Sequence, residues 1–178
     1  MAGGRPMVAA FLCGLGLALS GCATEPPPSQ PSFYQSMARP GAQLDPQAAA
    51  SMISGYRRNN MLSEVTLDPQ LMRMAEEQAR AMATKDKLDH NVAGNFQQRL
   101  RRSGYRAQVG AENIGAGYHT LAEAFSGWRD SPSHKANMLL KGATQMGIAA
   151  VYVPNTKYKV FWALVLAAPD QRTAQLAQ

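Results

Sequence analysis

Cysteine is almost absent from this sequence, which holds two among its 178 residues. Both lie near the N-terminus, at Cys13 and Cys22. Cys13 would leave with a cleaved leader, and a lipid attached to Cys22 would consume the remaining thiol. No disulfide can then cross-link the folded part of the chain. We therefore expect a domain that is stabilised by packing alone.

Hydrophobic runs are short. The apolar run at residues 7–19 is shorter than the roughly 20 residues that a membrane-spanning helix needs. It follows Arg5 and ends in Leu19-Ser20-Gly21-Cys22, which resembles a bacterial lipobox. A positive start, a short apolar core and small residues before the cleavage point are typical of a secretory signal. We predict a signal peptide at residues 1–21 and a lipidated Cys22, acylated with palmitate or a similar chain, that attaches the protein to a membrane.

Acidic residues are scarce relative to basic ones, with 12 against 18, which gives a net charge of +6. Arg99, Arg101, Arg102 and Arg106 form the densest basic patch. A solvated helix end explains this patch better than nucleic-acid binding, and an exported chain meets no nucleic acid. Attraction to anionic lipid or to a cell-wall polymer stays open.

Proline divides the chain into regions. Residues 22–44 contain the run Pro26–Pro28 together with Pro31 and Pro40, a composition typical of an extended tether. Residues 45–169 have the size of one domain, and residues 170–178 are predicted to be a disordered tail.

Helix starts are easy to read. Asp45, Asp68 and Ser131 each precede a proline, which combines a capping side chain with a residue suited to the first helical position. Helices are predicted at residues 46–60, 69–85, 96–102, 121–128 and 132–140. Two apolar runs, 145–153 and 158–167, predict an antiparallel hairpin, and part of 105–114 is expected to be extended. Helices followed by strands indicate a layered α+β domain.

Few residues are suited to chemistry. The histidines are His90, His119 and His134, and Glu112 lies in an otherwise uncharged stretch that begins at Gly110. The domain has no cysteine and no serine in a nucleophile-elbow motif, so we lean against an enzyme.

Eight segments, taken in order, resemble the CAP superfamily of cysteine-rich secretory, antigen five and pathogenesis-related proteins, in its bacterial, SCP-like branch. They are Leu67–Leu71 with Ala79–Met82, Asp89-His90, Arg99-Leu100 with Gly104-Tyr105, Ala111–Ile114 with Gly117, Trp128, Ser131–Asn137, Gly147-Ile148 and Phe161-Trp162. The resemblance implies a three-layer α-β-α sandwich around a mostly antiparallel sheet. It also implies a cleft formed by His90, Glu112 and His134.

The resemblance is incomplete at one position, because Ser131 stands where eukaryotic members have a second glutamate. Glu123 lies nearby, but its spacing from Thr120 matches a capping box, so we expect a structural role. Ser131 and Ser133 are likewise explained by helix capping, and His119 is expected to be an exposed loop residue.

Three roles for His90, Glu112 and His134 stay open. They can bind a divalent ion such as Zn²⁺, form a hydrogen-bond network or ligand cleft without metal, or act as acid and base. The corresponding functions are a binding module for a lipid or cell-wall fragment, a metal-assisted hydrolase of peptide or cell-wall bonds, and a scaffold for a protein partner. Ala23 lacks the acidic character of an inner-membrane retention signal, so we expect the outer membrane, facing the periplasm, in a cell that has one.

Overall fold

A computed structural model describes Met1, Gly3 and residues 30–170 of the chain. The predicted lipidation site Cys22, most of the predicted signal peptide and residues 171–178 lie outside the described residues. Asp170, the first residue of the predicted tail, donates its backbone N–H to the carbonyl of Arg106. Within the described part of the chain, no helix is long and apolar enough to cross a membrane.

Helices and strands follow the predicted order. The helices are α1 (Pro46–Asn59), α2 (Pro69–Lys85), α3 (Phe96–Arg102), α4 (Leu121–Asp130) and α5 (Pro132–Met138), and a 3-10 turn covers Ser32–Tyr34. The strands are β1 (Thr66–Leu67), β2 (Ala107–Ala116), β3 (Gln145–Tyr152) and β4 (Val160–Pro169). β1 was not predicted, because two residues are too few to show an alternating pattern.

Local capping explains where the two long helices begin. One carboxylate oxygen of Asp45 accepts hydrogen bonds from the first free amides of α1, and Asp68 does the same for α2. The predicted cap at Ser131 is wrong, because its side chain makes no capping hydrogen bond to α5. Its hydroxyl instead lies 3.4 Å from the hydroxyl of Ser133.

The sheet has the strand order β1-β3-β4-β2. β4 pairs antiparallel with both β2 and β3, whereas β1 pairs parallel with β3 through only two residues. β4 is therefore a central strand, and its residues from Val160 to Ala168 are buried.

Two apolar cores cover the two faces of the sheet. One joins α1, α4 and α5 to one face and contains Trp128 and Trp162. The other joins α2 and α3 to the opposite face and contains Phe161. The predicted α-β-α sandwich with a mostly antiparallel sheet is confirmed. Packing against the backbone is very close at Gly147, where an added Cβ would lie 2.1 Å from the carbonyl carbon of Leu71 in α2.

Part of the predicted tether belongs to the folded domain. Met37 is 4% exposed and lies in the first core, with Phe33 and Leu44 packed against it. The backbone N–H of Met37 also donates to the carbonyl of His119, 2.6 Å away. The prediction of an extended tether is therefore wrong from Ser32 onward, because the apolar residues among the prolines pack into the core that contains α1 and α4.

A buried arginine holds the segment between α5 and β3. Arg57 in α1 is fully buried, and its guanidinium donates to four carbonyls, those of Ser63, Met138, Leu140 and Ala143. Carbonyls at the end of a helix have no partner within the helix. Arg57 therefore satisfies the end of α5 and fixes the position of that short helix.

Candidate functional site

The loop after α2 carries His90 and is held from beneath by a buried amide. Gln78 in α2 is fully buried, and its Nε2 donates to the carbonyls of Asp89 at 3.0 Å and His90 at 3.3 Å. Its Oε1 has no hydrogen-bond partner within the described residues. The two carbonyls fix the amide orientation, so Gln78 acts as a clamp on the His90 backbone.

A buried ion pair lies next to this loop. Arg99 in α3 and Glu112 in β2 have side chains that are 1% and 2% exposed, and they form two hydrogen bonds of 2.7 and 2.8 Å. Arg99 also donates to the carbonyls of Gly94 and His90. Placing Arg99 in an exposed basic patch is therefore wrong, because its charge is buried against Glu112.

Glu112 also contacts the imidazole of His90. The Nδ1 atom of His90 lies 2.7 Å from Oε1 of Glu112, and the His90 side chain is 49% exposed. A neutral imidazole that donates from Nδ1 keeps its lone pair on Nε2. A carboxylate bonded to one ring nitrogen fixes the tautomer and orientation of the ring, as it does for many metal-binding histidines.

His134 lies in the first turn of α5 and is tied to β2 by two asparagines. Asn113 donates to the carbonyl of His134 at 2.9 Å, and Asn137 donates to Asn113 Oδ1 and to the Glu112 carbonyl, both at 3.0 Å. Partial burial and the nearby charge of His90 lower the pKa of His134 below its ordinary value of 6.5. His134 is thus a neutral imidazole at pH 7, within electrostatic range of His90.

Each predicted site residue can now be placed. His90 and Glu112 are in contact, and His134 is joined to the same strand through Asn113. Oε1 of Glu112 accepts from both His90 and Arg99, and Oε2 accepts from Arg99. Across residues 30–170, no group of three or more His, Cys, Asp or Glu is arranged to hold a metal ion. The site therefore consists of two imidazoles and a carboxylate whose two oxygens both accept hydrogen bonds.

The two residues set aside from the site have structural roles. Glu123 forms the predicted capping box with Thr120, and its Oε2 also accepts the backbone N–H of His119 at 2.6 Å. His119 is exposed in the loop before α4. The predictions of a capping role for Glu123 and of a loop position for His119 are confirmed.

Four supporting residues were missed: Gln78, Arg99, Asn113 and Asn137. Asn113 and Asn137 lie within the segments that carry the resemblance, beside Glu112 and His134, so motif position is the signal that marks them. Arg99 is also within such a segment, but its arginine-rich surroundings suggest a surface. Gln78 shows one signal, since it shares a helical face with the apolar Ala75 and Met82.

The fold and the site together define a layered α-β-α domain in which a buried carboxylate and two histidines lie at the junction of α5, β2 and the loop after α2. The sequence profile of the cysteine-rich secretory protein family, CAP, matches residues 50–166. The chain therefore belongs to the CAP family. A comparison with curated proteins finds no match.

Solved structures show the same fold in distant bacterial proteins. An outer surface protein of Borrelia burgdorferi superimposes with a TM-score of 0.62 at 19% identity, over 70% of this chain and 92% of that chain. An extracellular SCP-domain protein of Bacillus anthracis gives 0.60 at 22% identity, over 68% of this chain and 39% of that chain. The CAP domain of Enterococcal PrgA gives 0.54 at 15% identity, over 69% and 59%. These identities support a shared fold only.

Proposed function

We propose that this chain is an exported binding module, held at the cell envelope, whose ligand site is the cleft between His90 and His134. The observation that carries the proposal is the Glu112–His90 pair beside a neutral His134. Glu112 fixes one imidazole with its free nitrogen directed away from the carboxylate. The second imidazole is uncharged at neutral pH, so its ring offers a lone pair to a ligand beside the Nε2 atom of His90.

A divalent cation such as Zn²⁺ fits this pair of imidazoles. His90 and His134 would be its protein ligands, and Glu112 would support His90 from behind, in place of the direct ligand role first expected for it. Such an ion supplies a Lewis-acid centre with open positions for an anionic oxygen of the ligand. The chain's own contribution is orientation, because Gln78 and Arg99 hold the His90 backbone while Asn113 holds that of His134.

Attachment to the envelope is supported by sequence and by the structural relatives. The lipobox-like segment ends at Cys22, and the relatives include an extracellular and an outer surface protein. We propose that the lipid on Cys22 keeps the domain at a membrane, the outer one in a cell with two. Residues 23–31 then separate the lipid from the folded part. The ligand class that suits this location is a lipid or a cell-wall fragment.

The hydrolase alternative has less support. Glu112 is poorly suited to be the general base, because both of its oxygens already accept hydrogen bonds from buried or fixed donors, and this leaves the two imidazoles for that role. The sequence also offers no activated nucleophile. A binding role requires neither of these features.

Zn²⁺ titration of the purified full-length chain tests the cleft. We expect the double variant His90→Gln/His134→Gln to lose binding, and Glu112→Gln to weaken it about 10–100-fold through loss of the carboxylate that orients the His90 ring. The matched control is His119→Gln, which removes an exposed imidazole outside the cleft and should leave the affinity unchanged. Equal Zn²⁺ affinity in the double variant and the parent would refute a metal-holding cleft.

A second experiment tests the ligand class and the anchor. Peptidoglycan fragments and phospholipid vesicles are titrated into the full-length chain with and without a chelator. Binding that the cleft variants do not alter would refute this site. For the anchor, Cys22→Ser should release the protein from the membrane fraction of cells. Membrane retention of that variant would contradict lipid attachment.

A further inference from the structure

The edge of β3 is only partly covered. β3 pairs with β4 along its whole length, from Gln145 to Tyr152, but β1 covers only Gln145 and Met146 on the other side. Residues 147–152 therefore have no neighbouring strand on that side within the described residues. Unpaired edges offer backbone donors and acceptors to another chain.

The hydrogen-bonding direction of the backbone identifies which groups lie at this edge. The N–H of Asp68, just after β1, donates to the carbonyl of Met146, so Met146 faces the edge. Backbone groups alternate along a strand, which places those of Ile148, Ala150 and Tyr152 on the same side. The N–H of Ile148 confirms this, because it donates to the sulfur of Met72 in α2 at 3.3 Å. A thioether is a weak acceptor, so even this amide is lightly held.

A groove of about 730 Å³ runs along this edge. Residues 39–44 form one wall and Met72, Glu76 and Arg80 of α2 contribute to another, while residues 148–152 of β3 line it between them. The groove volume lies within the range of ligand sites in proteins.

Side chains cap two backbone carbonyls at the opposite edge of the sheet. On β2, Trp128 of α4 donates to the carbonyl of Ile114, and Asn137 of α5 donates to that of Glu112, both at 3.0 Å. Within residues 30–170, one side-chain hydrogen bond of this kind reaches the free edge of β3, the contact between the N–H of Ile148 and the sulfur of Met72. β2 also lines a smaller groove, of about 330 Å³, at residues 107–110. The β3 edge is the more open of the two in the described chain, since side chains cap fewer of its backbone groups and its groove has the larger volume.

We propose that the β3 edge groove binds an acidic peptide segment in extended conformation, which adds a strand to the sheet beside Ile148, Ala150 and Tyr152. Main-chain hydrogen bonds supply affinity in this mode of recognition, and alternate side-chain positions supply specificity. Five residues of strand span roughly 13 Å, so the paired part of the peptide is four to six residues long.

The residues that line the groove indicate which side chains a bound peptide would carry. Ala150 and Tyr152 pack toward the core that contains α1, whereas Val151 packs toward the core that contains α2. The bound strand would alternate in the same way, with one row of side chains against apolar surface. Arg80 forms an ion pair with Glu76, which leaves Arg39 as the unpaired charge among the described residues that line the groove, and the whole chain carries a charge of +6. Acidic residues on the alternate positions match this field.

The test uses six-residue peptides that alternate valine with glutamate, and a matched series with lysine in place of glutamate. Binding to the full-length chain is measured by fluorescence anisotropy, and hydrogen exchange locates the contact. We expect the glutamate series to bind at least about tenfold more tightly at low salt, and to slow exchange at the amides of Ala150 and Tyr152.

Two variants of the groove, one control variant and one modified peptide separate this mode from simple charge attraction. Ala150→Pro removes an edge-facing N–H that β4 does not use, a position where proline is tolerated, and should weaken binding about tenfold. Arg39→Glu should weaken it by a similar factor, whereas Lys141→Glu, an exposed change outside the groove, should not. A peptide methylated on every backbone nitrogen should fail to bind, and this control needs no variant to fold.

Four results would overturn the proposal. They are equal binding of the two peptide series, exchange protection at β2 or nowhere, unchanged binding of the methylated peptide, and self-association of the chain through β3. The groove lies at the opposite edge from Glu112 and β2, so loss of zinc binding in the cleft variants would leave this result untouched, and the reverse also holds.

Discussion

Replacing Arg99 by leucine tests the buried pair that supports His90. The change removes two charge-assisted hydrogen bonds to Glu112 and leaves that carboxylate buried without its counter-charge. It also removes the donors to the carbonyls of Gly94 and His90. Breaking a buried pair in this way costs about 3–5 kcal/mol. A domain of this size changes its Tm by about 2–4 °C per kcal/mol, so we expect a fall of about 6–20 °C.

The assay is urea unfolding of the full-length chain, with thermal melts in parallel. Arg101→Leu is the matched control, because Arg101 lies on the same helix but is exposed, and it should stay within about 0.5 kcal/mol of the parent. The double variant Arg99→Leu/Glu112→Leu removes the uncompensated charge and should lose less than the sum of the two single variants. A loss below about 1 kcal/mol for Arg99→Leu, or strict additivity in the double variant, would refute the reasoning.

Three other changes probe the contacts around the cleft and the sheet, and urea unfolding or thermal melts measure each one. Asn137→Ala removes two hydrogen bonds between α5 and β2 and should cost about 1–3 kcal/mol; no loss would contradict that link. Because folding lowers the pKa of His134, the unfolded chain binds more protons than the folded chain, so the free energy of unfolding should fall as the pH drops below 6.5. The variant His134→Gln should show a smaller fall. An unchanged pH profile in that variant would contradict this role of His134. Gly147→Ala forces a Cβ against Leu71 and should lower the Tm by several degrees, whereas Gly55→Ala, in open helical space, should add about 0.5–1 kcal/mol.

The helices could be predicted because their signals are local. Asp45 and Asp68 cap the residues that immediately follow them, and the bounds of α2 and α3 match the prediction at both ends. β1 could not be predicted, because two residues form a strand only when β3 is available to pair with them. The failed cap at Ser131 shows the limit of the local rule, since a suitable residue type does not fix the direction of its hydroxyl.

The residues of the site could be predicted from the sequence, but the hydrogen bonds that connect them could not. His90, Glu112 and His134 stand out by residue type and by their place in the resemblance. The decisive partner of Glu112 is Arg99, which is 13 residues away and meets it only when α3 packs on β2. A seven-residue helix rich in arginine gives no periodicity that distinguishes the buried arginine from its exposed neighbours.

The position of β4 governs when this protein can fold. It is the last strand along the described chain, yet both cores need it. At the usual rate of synthesis, about 5–20 s separate the completion of α1 from that of β4, and through this interval the helices have no central strand to pack on. Under the export proposed above, this delay is an advantage. A chain whose two cores form in one late step stays unfolded, and so able to cross a membrane, while its N-terminal signal is already inserted.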